Sequence, residues 1–187
     1  MVRAISKQVQ IVRSKIAMTS EERLMKLYLI RHGIASERLG SGITRDADRP
    51  LTEEGKEEMQ VVASGLAKLN VKPDVVLSSP LVRTRETAEI LVAEFGCELK
   101  FTDSLAPGVT AAQVWKSVNR YPEASQIMLV GHEPDMGMLA AQLMFAGPEF
   151  EMPFKKAGVC RIDISDIPPT SPGVLKWYLP PKVFHAL

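Results

Sequence analysis

Three short stretches of this 187-residue chain set arginine and histidine at the ends of apolar runs. "LYLIRHGIA", residues 27–35, ends its apolar run in Arg31-His32-Gly33. "SSPLVR", residues 78–83, places Arg83 one helical turn beyond two serines and a proline. "LVGHEP", residues 129–134, closes another apolar run with Gly131-His132-Glu133-Pro134. Arginine offers a fixed fork of donors that fits phosphate oxygens, and a helix N-terminus adds free amides and the positive end of a dipole. A neutral imidazole, with an unperturbed pKa of about 6.5, attacks phosphorus well near neutral pH if its other nitrogen is held as a donor. Two arginines and one histidine would then stabilise charge on the equatorial oxygens while the second histidine attacks in line. Gly33 would let the backbone pass close to the phosphate.

These residues converge only if the strands that carry them are neighbours, because ligands of open α/β sheets bind outside the carboxyl ends of the strands. From residue 26 onward, apolar runs of strand length alternate with stretches of helical spacing, which predicts an α/β domain with a mostly parallel sheet. Strands are expected near 26–31, 74–78, 98–101, 126–130, 157–164 and 173–179. Thr52 should cap a first helix whose face is Met59, Val62, Leu66 and Leu69, with Glu53 and Glu54 at its positive end. Ser79 is the expected N-cap of a second helix, with Pro80 in its first turn and Gly96 at its end. Further helices are expected near 110–120 and 134–146, with Met136, Met138 and Leu139 packing in the core. "DIPPTSPG", 166–173, reads as the turn of a final hairpin.

Composition narrows the function classes. Hydrophobic residues make up 45% of the chain and the net charge is +1, which suits one compact core and lacks the basic stripe of a nucleic-acid binder. No run approaches the roughly 18 apolar residues of a membrane helix. Cys97 and Cys160 have no metal-ligand spacing and read as buried free thiols. An arginine stands beside each candidate histidine, which disfavours a cation there. Residues 1–25 form an N-terminal extension with Arg3, Lys7, Arg13 and Lys15 and no acid before Glu21. Three readings stay open: a transit-like segment, a docking helix with Val9, Ile11, Val12 and Ile16 on one face, or a start site that belongs at Met25.

The motifs resemble those of the histidine phosphatase, or phosphoglycerate mutase-like, superfamily. Its RHG matches Arg31-His32-Gly33, its LTxxG matches "LTEEG" at 51–55, its SSxxxRxxxTA matches "SSPLVRTRETA" at 78–88, and its second histidine motif matches "LVGHEP". With "DADRPLT" ahead of the first helix, the chain is most similar to the SixA-type phosphohistidine phosphatases over roughly residues 26–180. The resemblance implies a three-layer α/β/α sandwich with a six-stranded sheet in a domain over 26–187. It implies that His32 is phosphorylated, that Arg31 and Arg83 bind the phosphoryl group, and that His132 completes the pocket. No metal or other cofactor is implied. The expected protein is monomeric and cytoplasmic, or lies in an organelle matrix if residues 1–25 are a transit peptide.

Around this core set, other residues read more plainly. Arg85 points away from Arg83 and has Glu89 at i+4, a surface pair. Asp46 and Arg49 are expected to brace the loop before Thr52, and His185 to be exposed in a short tail. The chain departs from the family where mutases and phosphomonoesterases carry a glutamate acid after the third strand. Here "FTDSLAPG" has Ala106-Pro107 at that place and only Asp103 nearby. A positioned acid is worth about 10²–10⁴ in rate when a basic oxygen must leave. A phosphorylated imidazole needs it less, so the departure favours a phosphohistidine on a partner protein, HPt-like or from a phosphotransferase system. A small phosphorylated molecule, with Asp103 or another group as acid, is the alternative, and a non-catalytic phosphate-binding adaptor is a third reading.

Overall fold

The structure is a computed structural model that describes residues 24–37, 42, 44–145 and 152–187. The expectations for the N-terminal extension, Val9 to Ile16 included, lie outside the described residues. Six strands, β1 (Met25–Arg31), β2 (Val75–Ser78), β3 (Glu98–Phe101), β4 (Gln126–Gly131), β5 (Val159–Ile164) and β6 (Val174–Leu179), form one sheet in the order β3-β2-β4-β1-β5-β6. The first four run parallel to one another; β5 is antiparallel to β1 and to β6. The hairpin expected around 166–173 joins β5 to β6.

Side-chain alternation along β1 divides the core. Tyr28 and Ile30, with Val76, Met128 and Val130, face α1 (Glu53–Lys68) and α2 (Val82–Phe95). Leu27 and Leu29, with Leu77, Ile127 and Leu129, face α3 (Ala111–Val118) and α4 (Asp135–Phe145). The central strands are therefore apolar on both faces, as parallel strands covered by helices on both sides must be. The result is the mostly parallel sheet that the alternating pattern predicts, within the α/β/α sandwich that the resemblance implies.

Local chemistry sets the helix ends. Thr52 Oγ1 accepts the Gly55 amide at 3.0 Å, and Gly96 ends α2 in the left-handed region at φ 65°. Other expectations need correction. Ser79 is not the cap of α2: Leu81 holds that position without a side-chain cap bond, and the helix begins at Val82. Its serine hydroxyl is engaged by a histidine, described below. Leu69 is the C-cap residue of α1 and is 40% exposed, beyond the turn at which its face leaves the sheet. Met138 is 45% exposed on α4, while Met136 and Leu139 are buried. The C-terminal residues are more than a tail: α5 (Pro181–Phe184) buries Phe184 against Gly65 of α1, where a Cβ would strike the ring. Burying such a ring contributes roughly 1.5–3 kcal/mol. Cys160 is buried and Cys97 half-buried, both as free thiols.

Candidate active site

The sheet order places β1 between β4 and β5, and β2 on the other side of β4. In register, Arg31 lies opposite Gly131, and Ser78 opposite Val130. His32, Ser79 and His132 thus leave the sheet side by side at its carboxyl edge. Backbone bonds fix the two exits: His32 N–H donates to Gly131 O at 3.1 Å, and Ser79 N–H to Val130 O at 3.1 Å. The two imidazole centroids are 5.3 Å apart.

His32 is held in one tautomer. Its Nδ1 lies 2.7 Å from the Gly33 carbonyl, which can only accept, so Nδ1 carries the proton and Nε2 carries the lone pair. Arg83 Nε approaches that lone pair at 3.3 Å. Burial, with the charges of Arg83, Arg31 and Lys156, pushes the His32 pKa down to about 4 against the pull of the Gly33 carbonyl. Burial, with the charges of Arg83, His32 and Arg31, pushes His132 down to about 3. Both rings are neutral at neutral pH, so His32 presents a nucleophile that no proton blocks.

Arg83 is itself buried, in the first turn of α2. Its Nη1 donates to the Asp46 carbonyl at 2.8 Å and its Nη2 to the Asp46 carboxylate at 2.9 Å. Asp46 also takes Arg49 Nη1 at 3.1 Å, as the bracing role requires. Burial tends to raise the Asp46 carboxyl, but the bonds and charges of Arg49 and Arg83 outweigh it and hold the group ionised. Asp46 therefore reaches the site as well as the loop, a contact that the sequence reading missed. Its three-residue separation from Arg49 suggested only the local pair.

Arg31 donates from Nη1 to the Phe154 carbonyl at 2.6 Å, and Glu133 Oε1 accepts the Phe154 amide at 2.9 Å. Burial raises the Glu133 pKa; its Oε1 is turned onto the 154 backbone, while its Oε2 is buried without a hydrogen-bond partner. Ser79 Oγ lies 2.9 Å from His132 Nε2 and fixes that ring. Two nitrogens of the cluster, Arg31 Nε and His132 Nδ1, are buried without a hydrogen-bond partner. Buried groups of that kind cost about 1–3 kcal/mol each, and an anion rich in oxygens can satisfy them.

Gly33 has a role that its sequence context did not reveal. Its amide donates to Thr87 Oγ1 at 3.1 Å, and Thr87 Oγ1 donates to the Arg83 carbonyl at 2.7 Å. A Cβ on Gly33 would meet Met59 Cγ at 2.9 Å and Gly55 O at 3.1 Å, and a Cβ on Gly55 would run into the Ile34 backbone. The glycines of RHG and LTEEG therefore let α1 pack onto the strand exit. The structure thus brings together Arg31, His32, Gly33, Arg83 and His132. Asp103 is exposed in a 3-10 turn, Asp103–Leu105, beyond β3. Arg85 lies at the surface beside Glu89, 4.0 Å away. Among the described residues, no three His, Cys, Asp or Glu side chains cluster as metal ligands, and no helix is long and apolar enough to cross a membrane.

Comparison with known proteins agrees with this architecture. The sequence model of the histidine phosphatase superfamily, branch 1, matches residues 27–106. An uncharacterized protein of Picosynechococcus sp. is 38% identical over 138 residues, 72% of this chain and 82% of that protein. A probable phosphoglycerate mutase, GpmB of Escherichia coli, is 34% identical over 82 residues, which span 44% of this chain and 37% of that protein. The solved structure of the protein histidine phosphatase SixA with tungstate superposes with a TM-score of 0.74 at 22% identity, covering 85% of this chain and 99% of that one. With its motifs in order on a SixA-like fold, the chain belongs to the histidine phosphatase superfamily.

Proposed function

We propose that this protein is a cofactor-independent phosphatase that removes phosphate from a phosphohistidine on a partner protein, through a covalent intermediate on His32. The observation that carries this reading is the protonation pattern of the site: a neutral imidazole with its proton on Nδ1 and, among the described residues, no carboxyl group hydrogen-bonded to either ring to serve as acid for a leaving alcohol. Asp46 is held ionised by two arginines, Glu133 is turned onto Phe154, and Asp103 is exposed.

Transfer from histidine to histidine needs no such acid. A phosphohistidine protonated on its distal nitrogen is attacked at phosphorus by His32 Nε2. The P–N bond of the substrate breaks, its electron pair stays on the leaving nitrogen, and the product is a neutral imidazole. Phospho-His32 keeps its proton on Nδ1, against the Gly33 carbonyl. When water attacks, the P–Nε2 bond breaks in the same sense, and His32 is restored as neutral imidazole beside dihydrogen phosphate. Arg31, Arg83 and His132 surround the transferring group and stabilise its oxygens. The partner is HPt-like or a phosphotransferase-system protein, and the enzyme acts as a cytoplasmic monomer.

Mass spectrometry after brief exposure to a phosphohistidine donor tests the mechanism: wild type should gain one phosphoryl group on His32, and His32→Ala none. The match to a probable phosphoglycerate mutase favours a second reading, a phosphatase acting on small phosphate esters. A substrate panel separates the two. A sugar phosphate or phosphoglycerate hydrolysed much faster than phosphohistidine would overturn the first.

A further inference from the structure

Beside the phosphoryl site lies a trough of about 800 Å³ that begins at Arg31 and Ile34 and runs past Pro153, Lys155 and Lys156 to Tyr178 and the start of α5. One wall is tied to the nucleophile, because Ala157 N–H donates to the His32 carbonyl at 3.1 Å. It is braced from behind, where Lys155 N–H donates to Tyr178 Oη at 2.8 Å and the Phe154 and Tyr178 rings meet edge to face. Lys182 and His185, on or beside α5, also line it, and among the described residues Glu58 of α1 is the single carboxylate of the lining.

Three features define what fits. The lining includes Ile34, Pro153, Pro180 and Pro181, so the occupant meets apolar surface and gains no strand-like pairing from the prolines. Lys155, Lys156 and Lys182 are exposed, and no carboxylate among the described residues forms an ion pair with them. The trough is open to solvent along its length, whereas pockets for small molecules enclose most of the ligand surface. We propose that this trough is the docking surface for an acidic polypeptide segment of the partner, adjacent to the phosphorylated residue. The inference rests on the phosphohistidine reading of the site and names the recognition chemistry that goes with it. Carboxylates seated against the three lysines would steer encounter and set register, and such attraction weakens with salt.

Fluorescence anisotropy with two unphosphorylated peptides of equal length, one bearing Asp and Glu and one bearing Asn and Gln at the same positions, tests the surface independently of turnover. The full chain should bind the acidic peptide about tenfold more tightly at low salt, and the preference should collapse at high salt. Lys155→Glu combined with Lys182→Glu should abolish it, while Lys72→Glu with Lys116→Glu, outside the trough, should not. Lys156 is left intact because its charge reaches His32, so the double variant should hydrolyse free phosphohistidine at the wild-type rate. Equal affinity for the two peptides, or an undiminished preference in the Lys155 and Lys182 variant, overturns the docking surface. Acidic preference without hydrolysis of free phosphohistidine leaves the surface standing and overturns the proposed activity.

Discussion

The carboxyl edge of β1, β2 and β4 and the neighbouring trough along 153–156 and α5 share Arg31 but are built in opposite ways. At the strand edge, His32, His132, Ser79 and Arg83 are all under 10% exposed, and each is held by a named hydrogen bond. In the trough the lysines are exposed and form no ion pair with a carboxylate among the described residues, and prolines and Ile34 share the lining. The first region holds its groups by directional hydrogen bonds, as the proposed in-line phosphoryl transfer requires. The second offers charge without fixed geometry, which suits selection among protein surfaces. If the proposed docking surface holds, chemistry and partner choice are separated across one arginine, and substitutions in the two regions should have separable effects.

The largest effect belongs to His32. His32→Ala should lower turnover by about 10⁴-fold or more, since the attacking atom is lost, and should abolish labelling of the protein. Arg83→Lys keeps the charge but loses the planar fork, and should cost about 10²–10³ in kcat/KM. Steady-state kinetics on free phosphohistidine checks both. If Lys155→Glu, in the trough, depressed that same rate by a comparable factor, the separation of the two regions would fail.

The two regions also differ in how far the sequence reveals them. Residues at strand ends are legible because the apolar runs announce the parallel strands, and Arg31, His32, Arg83 and His132 fall where those runs stop. The helix faces follow from period, except where a helix turns away from the sheet, as Leu69 and Met138 show. What escaped was contact over long separations. Asp46 meets Arg83 across 37 positions and Ser79 meets His132 across 53, and neither pairing leaves a periodic trace. The trough is less legible still. Lys155, Tyr178 and Lys182 become neighbours only through the β5–β6 hairpin and the seating of Phe184 on α1.

Packing between α1 and the strand exit gives the next largest effect. Gly55→Ala places a methyl group against the Ile34 backbone, which cannot rotate out of the way as a side chain can. It should destabilise the fold by about 3 kcal/mol, read as a lower urea midpoint, and reduce activity by displacing Gly33 and His32. Gly96→Ala has open space around its Cβ but sits at φ 65°, so its cost is backbone strain alone, about 1 kcal/mol. A larger loss at Gly96 than at Gly55 would break the assignment of close packing to the site.

The buried imidazoles make the strand edge sensitive to acid. His32 and His132 have folded-state pKa values of about 4 and about 3, below the unfolded value of about 6.5, so between these limits the unfolded chain binds more protons. Stability should therefore level off above about pH 7 and fall progressively toward pH 3, by more than about 1 kcal/mol at pH 4.5. Added inorganic phosphate should oppose the loss, because an oxyanion among the two rings and Arg83 favours their protonated forms. Urea melts of wild type and His132→Gln across this range check the assignment: the variant should show the shallower slope.

The smallest effect is also the one that tests how the site opens to its substrate. Asp46 engages two donors of Arg83, so its carboxylate competes with an incoming phosphoryl group for the same guanidinium and repels its charge. Asp46→Asn keeps the size and the backbone bond to Nη1 while removing the charge. At a partly exposed position that charge is worth about 1 kcal/mol after solvent screening, or about fivefold in affinity. Inhibition by inorganic phosphate should therefore tighten by about fivefold in Asp46→Asn. The binding of the acidic peptide in the trough should stay unchanged, because Asp46 lies at the His32 and Arg83 side of the shared arginine. Weaker phosphate inhibition in the variant would mean that Asp46 acts chiefly to aim Arg83, and that the guanidinium binds phosphate with the ion pair intact.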